Sequence, residues 1–236
     1  LRVSITESEQ AREEVRNQLA LRRSRLRSLE EIQQKFEGVG TGVRGVMNRF
    51  ASTYAEKAQN GIRGLVADTV ECDPQFTEAL AAALGDELET VLVQTPEQAA
   101  RVAEYLGQDK RGRATVRWTD GIAATPLSIV PQGAGVLGRL SDLTRTLDAA
   151  SSDCVKRILA EVLVVDTLSS AQAMLGTLAD ANSGIRRIVT LSGDVLTTDG
   201  AITTGRGDAD NAHLLHVNRE VRELHGEVSG LDARMK

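Results

Sequence analysis

The sequence predicts a mixed α/β fold, classed as α+β or α/β, in which two related α/β halves are flanked by two long helices. Three observations lead to this prediction. Heptad-spaced apolar residues occupy both ends of the chain, short apolar runs alternate with helical segments between them, and the second half of this middle region repeats the order of the first. The predicted segments are 1–38 for the N-terminal helical arm, 39–125 and 126–210 for the two halves, and 211–236 for the C-terminal arm.

The two ends are predicted to form helices that pair with each other. Residues 1–37 contain no glycine and no proline, and apolar residues at both ends follow alternating steps of three and four. The N-terminal pattern is imperfect, because Ser8, Arg12, Arg22 and Gln33 interrupt it, and the C-terminal pattern is complete. The N-terminal stripe is Leu1, Ile5, Val15, Leu19, Leu26, Leu29 and Phe36, and the C-terminal stripe is Leu214, Val217, Val221, Leu224, Val228, Leu231 and Met235. Gly226 and Gly230 weaken the C-terminal helix by roughly 1 kcal/mol each. We therefore expect it to need the N-terminal helix as an antiparallel partner, and the pair to project from the middle region as a coiled coil.

Between the arms, strand-like runs alternate with helices. The run G-I-R-G-L-V-A-D-T-V occupies 61–70, and Asp73-Pro74 marks the start of an alanine-rich helix. Residues 90–93 favour a buried strand, and Thr95-Pro96 begins a second helix. The alternation in R-A-T-V-R-W at 113–118 predicts another strand.

The second half repeats this order, which indicates an internal duplication. Gly64 and Asp68 recur as Gly138 and Asp142, 74 positions later. The run at 88–99 recurs at 160–171, 72 positions later, and the strand at 113–118 recurs at 187–192, 74 positions later. Asp68 and Asp142 are interpreted as helix-cap or turn residues rather than as an acid/base pair.

Composition and motifs argue against an enzyme. No lysine follows a glycine, so the chain has no P-loop. All three histidines lie in the C-terminal arm, which leaves none in the middle region for a Ser-His-Asp or Cys-His site. His213 and His216 are expected to face solvent rather than a metal. We therefore predict no catalytic residue, no metal and no cofactor.

Net charge, apolar runs and the two cysteines limit which partners and which cellular compartment are possible. The net charge is −5, so nucleic-acid binding would need a local basic patch, and no apolar run approaches the ~18–20 residues of a membrane span. Cys72 and Cys154 are far apart, outside any C-x-x-C pair, and are expected to be free thiols in a reducing cytoplasm. Because the chain begins within a helical pattern, we expect it to be part of a longer protein.

The stretch T-L-S-G-D-V-L-T-T-D-G-A-I-T-T-G-R-G-D at 190–208 raises three possibilities, a phosphate loop, a surface hairpin or a contact with another chain. The missing lysine argues against the first. Asp199-Gly200 is good turn chemistry for a hairpin. The strand at 113–118 has two interpretations as well, an internal strand of one half or an edge strand that pairs with another copy.

Several motifs, in order, resemble the hinge of the SMC proteins, the chromosome-structuring ATPases, and are most similar to the bacterial chromosome-partition type. They are G-V-R-G-V-M at 42–47, G-I-R-G-L-V-A-D-T-V-E-C-D-P-Q-F at 61–76, A-L-G-D-E-L-E-T-V-L-V at 83–93, G-R-A-T-V at 112–116, A-E-V-L-V-V-D-T-L at 160–168, R-I-V-T-L-S-G-D at 187–194 and D-G-A-I-T-T-G at 199–205. The resemblance covers about 39–210.

The resemblance implies a non-enzymatic dimerisation module of a cytoplasmic, nucleoid-associated protein whose ATPase head lies in other segments. It implies a homodimer interface at Gly200, Ala201, Ile202, Thr203, Thr204 and Gly205 and at Arg113, Ala114, Thr115 and Val116. In this pattern Thr204 stands where the family usually has a glycine. Membranes and small-molecule substrates are not expected partners.

The resemblance also implies DNA contact near the junction of hinge and arms. The basic candidates are Arg22, Arg23, Arg25, Arg27, Arg44, Arg49, Lys57, Lys110 and Arg111. The four arginines at 22–27 are expected to carry no compensating acid, and the alternative is a solvated helix face. Two other functions stay open, a coiled-coil adaptor that binds another protein and a small-molecule-binding α/β domain.

Overall fold

The structure is a computed structural model that describes residues 2–36, 38–108, 112–123, 130–180, 184–205 and 210–235. The chain divides into two compact units. One, here called the helical unit, comprises Leu1–Glu37 and His216–Lys236, and the other, the α/β unit, comprises Gly38–Leu215. Among the residues that the structure describes, no helix is both long and apolar enough to span a bilayer.

In the helical unit, α1 (Arg2–Lys35) packs against the part of α10 (Asp210–Met235) that follows Leu215. The buried cluster between them is Leu26, Leu29, Val217, Val221 and Leu224, with Ile32 and Val228 partly buried. The pairing is antiparallel, since Gln33 Nε2 donates to Asn218 Oδ1 at 2.6 Å while Arg23, a few turns earlier, reaches Asp232. The predicted antiparallel pairing of the two helices is therefore present over part of the predicted stripes. Ile32, outside the predicted stripe, joins it, and Leu214 packs against the core of the α/β unit instead.

The α/β unit contains two series of elements. The first series is α2 (Thr41–Phe50), α3 (Tyr54–Gln59), β1 (Ile62–Leu65), α4 (Val66–Thr69), β2 (Val70–Cys72), α5 (Thr77–Leu84), β3 (Val91–Val93), α6 (Pro96–Gly107) and β4 (Val116–Trp118). The second is β5 (Val136–Arg139), α7 (Leu140–Leu143), β6 (Thr144–Thr146), α8 (Ser152–Leu159), β7 (Val162–Val165), α9 (Leu168–Asp180), β8 (Arg187–Thr190), β9 (Val195–Thr197) and β10 (Ile202–Thr203). Short 3₁₀ turns precede α5, β3 and α8.

The sheet topology confirms the duplication. β3 pairs antiparallel with β1 and parallel with β4, and β7 pairs in the same way with β5 and β8. Both first strands carry an irregularity that ends at a glycine with positive φ, 131° at Gly64 and 148° at Gly138. The predicted mixed α/β class is confirmed.

One detail of the duplication differs from the prediction. Val91 pairs with Val116, and Leu163 pairs with Ile188, so the last strand of the repeat is displaced by 72 positions, not 74. A shift of two residues keeps the same side chains on each face of a strand. The hydrophobic pattern alone therefore could not distinguish the two alignments.

The two halves share one core. β2 pairs antiparallel with β6, and Glu71 lies opposite Arg145, its own equivalent 74 positions later, with which it forms an ion pair. The main cluster contains Val66, Leu80 and Leu88 from the first half and Leu140 and Leu159 from the second. The boundary predicted between the halves at 125–126 stays a prediction, because 124–129 lie outside the described residues.

Candidate interaction surfaces

The sheet of the first half ends at β4, which pairs with β3 and is an edge strand among the described strands. The predicted strand at 113–118 is shorter in the structure, and Arg113, Ala114 and Thr115 precede it. Val91 N–H still donates to Thr115 O at 2.9 Å, but the chain before that point departs from the ladder. Trp118 at the end of β4 is 41% exposed.

An open groove of about 650 Å³ runs beside this edge. Its walls are one face of α6 and the segment that leads into β4. The lining residues are Pro96, Ala99, Ala100, Ala103, Leu106 and Gly107, and Gly112, Arg113, Ala114, Val116 and Trp118. In α6 the one fully buried side chain is Val102, so its alanines face the groove rather than the core. The groove is consequently apolar apart from Arg113.

The side chain of Arg117 anchors β4. Its Nε and Nη2 donate to the two carboxylate oxygens of Glu87 at 3.1 and 2.8 Å, and Thr90 Oγ1 donates to Glu87 at 3.1 Å. Partial burial would raise the pKa of Glu87, but the hydrogen bonds and charge of Arg117 outweigh it, so the net pKa is lowered. The edge strand is thus held firmly while its outer side stays open.

The sheet of the second half ends in a hairpin. β9 and β10 pair antiparallel, Thr197 N–H donates to Ala201 O at 2.9 Å, and Gly200 at the turn has φ of 96°. The hairpin predicted around Asp199-Gly200 is confirmed. β10 is the last strand of its sheet, and Ile202 is 50% exposed.

Thr204 fastens the end of this hairpin. Its hydroxyl donates to Asp194 Oδ1, while Ser192 Oγ and Thr190 Oγ1 donate to Oδ2 at 2.9 and 3.0 Å. The hydrogen bond from Thr204 contributes most to lowering the pKa of Asp194, and those from Ser192 and Thr190 lower it further. A glycine at 204 would have no hydroxyl, so threonine here ties β10 to the turn that precedes β9.

The four arginines at 22–27 lie on α1 in the helical unit, and three of them pair with acids of α10. Arg22 lies 2.8 Å from Glu227, Arg23 2.8 Å from Asp232, and Arg25 2.7 Å from Glu220. The hydrogen bond from Arg25 and its charge lower the pKa of Glu220. The expectation that this cluster is uncompensated is therefore wrong, because the acids lie on α10, 195 to 209 positions away in sequence. Arg27 is exposed.

The other basic candidates belong to the α/β unit. Arg44 in α2 donates to Val39 O at 3.3 Å, the guanidinium of Arg49 lies 5.5 Å from the ring centroid of Phe50, and Lys57 is in the last turn of α3. Lys110 and Arg111 lie outside the described residues. These three described side chains come from neighbouring segments of the chain, 44–57.

Sulfur and imidazole groups form no site among the described residues. No group of three or more metal-ligating side chains occurs in the described ranges. His225 Nε2 lies 3.1 Å from Glu30. Cys154 is buried, which raises the pKa of its thiol, and neither cysteine is part of a disulfide.

Sequence reasoning missed the groove and Trp118. The signal was present in α6, where Ala99, Ala100 and Ala103 form a face of small apolar side chains. The Glu87–Arg117 pair had no sequence signal, since its members are 30 residues apart and belong to no motif.

Comparison with known proteins gives consistent matches. The sequence profile of the family described as SMC proteins Flexible Hinge Domain matches residues 59–175. The chromosome partition protein Smc of Myxococcus xanthus is 30% identical over 236 residues, covering 99% of this chain and 19% of that protein. The chromosome partition protein Smc of Bacillus subtilis is 27% identical over 225 residues, covering 90% of this chain and 17% of that protein. The chain thus spans about a fifth of these curated relatives.

Solved structures match the fold as well, two SMC hinge domains among them. The Geobacillus stearothermophilus SMC hinge domain, crystallised as an asymmetric dimer, has a TM-score of 0.84 at 26% identity, covering 99% of this chain and 91% of that one. The Pyrococcus furiosus SMC hinge domain has a TM-score of 0.54 at 22% identity, covering 79% of this chain and 92% of that one, a likeness of fold alone.

Proposed function

This chain contains an SMC hinge domain, and from that premise we propose that it is a dimerisation module that joins two copies of itself. The supporting observation is that one α/β unit carries two exposed sheet edges of different character. β4 borders an apolar groove, and β10 ends in an exposed hairpin. An exposed strand edge presents free main-chain N–H and C=O groups that can pair with another chain. In a two-fold dimer, β4 of each copy meets β10 of the other.

Exposed apolar side chains mark both edges. Ile202 projects from β10, and Trp118 lines the groove at β4. In the proposed dimer, Ile202 of one copy enters the groove of the other, and β10 adds to β4 through main-chain hydrogen bonds. The interface then comprises Gly200, Ala201, Ile202, Thr203, Thr204 and Gly205 of one copy and Arg113, Ala114, Thr115 and Val116 of the other.

The glycines of the hairpin are a poorer probe of this interface than Ile202. A Cβ on Gly200 or Gly205 would meet no atom within 4 Å in the single chain, which leaves room for a second backbone. Both residues also have positive φ, 96° and 99°, so any substitution strains the hairpin itself. Loss of pairing after such a change would not separate the two causes.

Sedimentation equilibrium of the 236-residue chain tests the proposal. The wild type should be a dimer at micromolar concentration, and Ile202→Glu should be a monomer with an unchanged circular dichroism spectrum. Leu137→Glu is the matched control, because Leu137 is 42% exposed on β5, the opposite edge of the same sheet. A monomeric wild type, or equal dimerisation of the Ile202→Glu and wild-type chains, would refute the proposal.

DNA contact is the second part of the proposed function. The support is a set of basic side chains, Arg27 on α1 and Arg44, Arg49 and Lys57 in 44–57. Arg22, Arg23 and Arg25 are paired with carboxylates, whose negative charge opposes the approach of a phosphate. Their paired state therefore makes them weaker candidates than Arg27.

A competition experiment separates these two sets. Removing the acids with Glu220→Gln, Glu227→Gln and Asp232→Asn should tighten DNA binding and steepen its salt dependence if the paired arginines reach phosphate. Reversing Arg27, Arg44, Arg49 and Lys57 to Glu should weaken binding of a short duplex or single strand. If the triple variant without the acids and the quadruple variant with reversed charges both bind DNA with wild-type affinity, none of these residues contacts DNA.

The role of a longer parent protein follows from the family alone. We propose that this hinge serves a chromosome-partition ATPase in the cytoplasm, at the nucleoid, whose ATPase segments lie outside this chain. Fractionation of cells that express the tagged parent protein, with and without nuclease treatment, would test the location. Recovery apart from DNA before nuclease treatment would contradict it.

A further inference from the structure

The segment that forms one wall of the groove lies directly on helix α2. Gly112, Arg113 and Ala114 line the groove but precede β4, so strand pairing does not hold them. A Cβ built on Gly42 of α2 would lie 2.3 Å from Arg113 O, 2.5 Å from Arg113 C and 2.6 Å from Arg113 N. All three are backbone atoms, so no flexible side chain could move aside.

A side chain at Gly112 would clash with α2 in the same way. A Cβ on Gly112 would lie 2.7 Å from Gly42 N and 2.7 Å from Thr41 Oγ1. Two backbone segments therefore touch at glycines 70 positions apart in sequence. Their separation is set by the absence of side chains at both places.

Helix α2 is a fixed support for this contact. Val43, Val46 and Met47 are buried, Gly40 N–H donates to Glu89 Oε2 at 2.8 Å, and Tyr105 Oη donates to Gly45 O at 3.3 Å. The exposed segment at 112–114, rather than the buried helix, would yield if the two were forced apart.

We propose that Gly42 is a positioning residue for the groove, and that its lack of a side chain sets where the 112–114 wall stands. This inference rests on the proposed dimerisation through the groove. A methyl group at 42 pushes the wall away from α2 and alters the space that receives Ile202 of the second copy. Gly42 itself contacts no partner atom in this scheme.

Gly42→Ala and Gly45→Ala form a matched pair in one helix. Alanine favours helix more than glycine at both positions, and a Cβ on Gly45 meets Tyr105 Oη at an ordinary 3.6 Å. Gly42→Ala should raise the dimer dissociation constant about tenfold or more, equivalent to 1.4 kcal/mol or more, while Gly45→Ala should stay close to wild type. Sedimentation equilibrium measures the constants, and thermal melting shows that both chains are folded.

Trp118 reports on the groove locally. A general loss of stability would not change its emission as long as the chain stays folded, whereas movement of the groove wall would. Trp118 lines the groove and is the single tryptophan of the chain. Its emission in the folded chain should shift in Gly42→Ala and match wild type in Gly45→Ala.

Should Gly42→Ala not fold, Gly112→Ala makes the same contact from the exposed segment and should show the same shift and the same loss. Because Gly112 has a φ of 94°, Gly38→Ala controls for backbone strain, since Gly38 has a φ of 81° and a Cβ there meets no atom within 4 Å. Gly38→Ala should match wild type in dimer affinity and in Trp118 emission.

The two proposals fail differently. A monomeric wild type would refute dimerisation, yet the Trp118 comparison in the monomer would still test the control of the wall by Gly42. A wild-type dimer together with unchanged affinity and emission in folded Gly42→Ala would overturn the role of Gly42 alone.

Discussion

The two halves of the α/β unit have the same β–β–β core and differ at its outer edge. In the first half the core ends at β4, with an apolar groove beside it. In the second half the equivalent strand β8 is followed by β9 and β10, so it lies inside the sheet. One copy of the duplicated unit thus ends in a recess and the other in a projection. In the proposed dimer, the extra hairpin of the second half meets the recess of the first, so an addition to only one half makes the duplicated fold complementary to itself.

The two halves also differ in the side chains on and beneath their equivalent strands, β4 and β8. Arg117 on β4 and Glu87 before β3 correspond by strand register to Val189 on β8 and Leu159 before β7. The first pair is a half-exposed ion pair, and both members of the second pair are fully buried in the main cluster. An ion pair suits an open edge because water still solvates it, whereas burial there would carry a desolvation cost.

The largest expected effect comes from placing an arginine in the second half, at the position equivalent to Arg117. Val189→Arg places a guanidinium in the closed core without the acid that Arg117 has, and should destabilise the chain by about 3–5 kcal/mol. Urea unfolding measures the loss. Arg117→Val is the reciprocal change and should cost less. Equal costs would mean that the edge of the first half is as closed as the interior of the second.

The recess and the projection can be broken separately and then combined. Ala103→Glu in the groove and Ile202→Glu in the hairpin should each abolish homodimers. A mixture of the two variants should form a heterodimer, because the intact groove of one chain receives the intact hairpin of the other. The heterodimer should bind more weakly than the wild-type homodimer, since it keeps only one of the two groove–hairpin contacts. Sedimentation velocity of labelled chains detects the mixed species. A mixture that stays monomeric would show that the two sites are not partners.

Acid should weaken the first half through Glu87. Because the folded-state pKa of Glu87 lies below its ordinary value of 4.5, the ion pair adds stability above about pH 4.5 and loses it as the pH falls through the folded-state pKa. Glu87→Gln should remove about 1 kcal/mol at pH 7, given the partial exposure of the pair. Its stability should also change less than that of wild type between pH 5 and 3. An identical pH profile in wild type and variant would contradict this assignment.

The smallest effect is expected at the hairpin end. Thr204→Val removes the hydroxyl that Asp194 accepts and should weaken self-association about threefold to tenfold, the range expected for one exposed hydrogen bond. Thr204→Ser keeps the hydroxyl and should restore wild-type affinity. Were valine and serine to behave alike, the threonine would act through its shape rather than its hydrogen bond.

Much of this architecture follows from local patterns. The heptad stripes predicted the two long helices and their pairing, and the recurring glycines and apolar runs predicted the duplicated halves. Asp199-Gly200 predicted the hairpin. Each of these signals lies within a short stretch, where side-chain period and turn preference act directly on the backbone.

Local sequence patterns therefore predict the elements, their repetition and the resemblance that suggested a self-associating hinge. The folded structure was needed to show that Arg22, Arg23 and Arg25 pair with acids of α10 and that β4 starts at Val116. It alone brought Gly42 against Arg113 and left the groove open beside β4. These outcomes depend on contacts between residues far apart in the chain, and the distances that define them exist only once the backbone has folded.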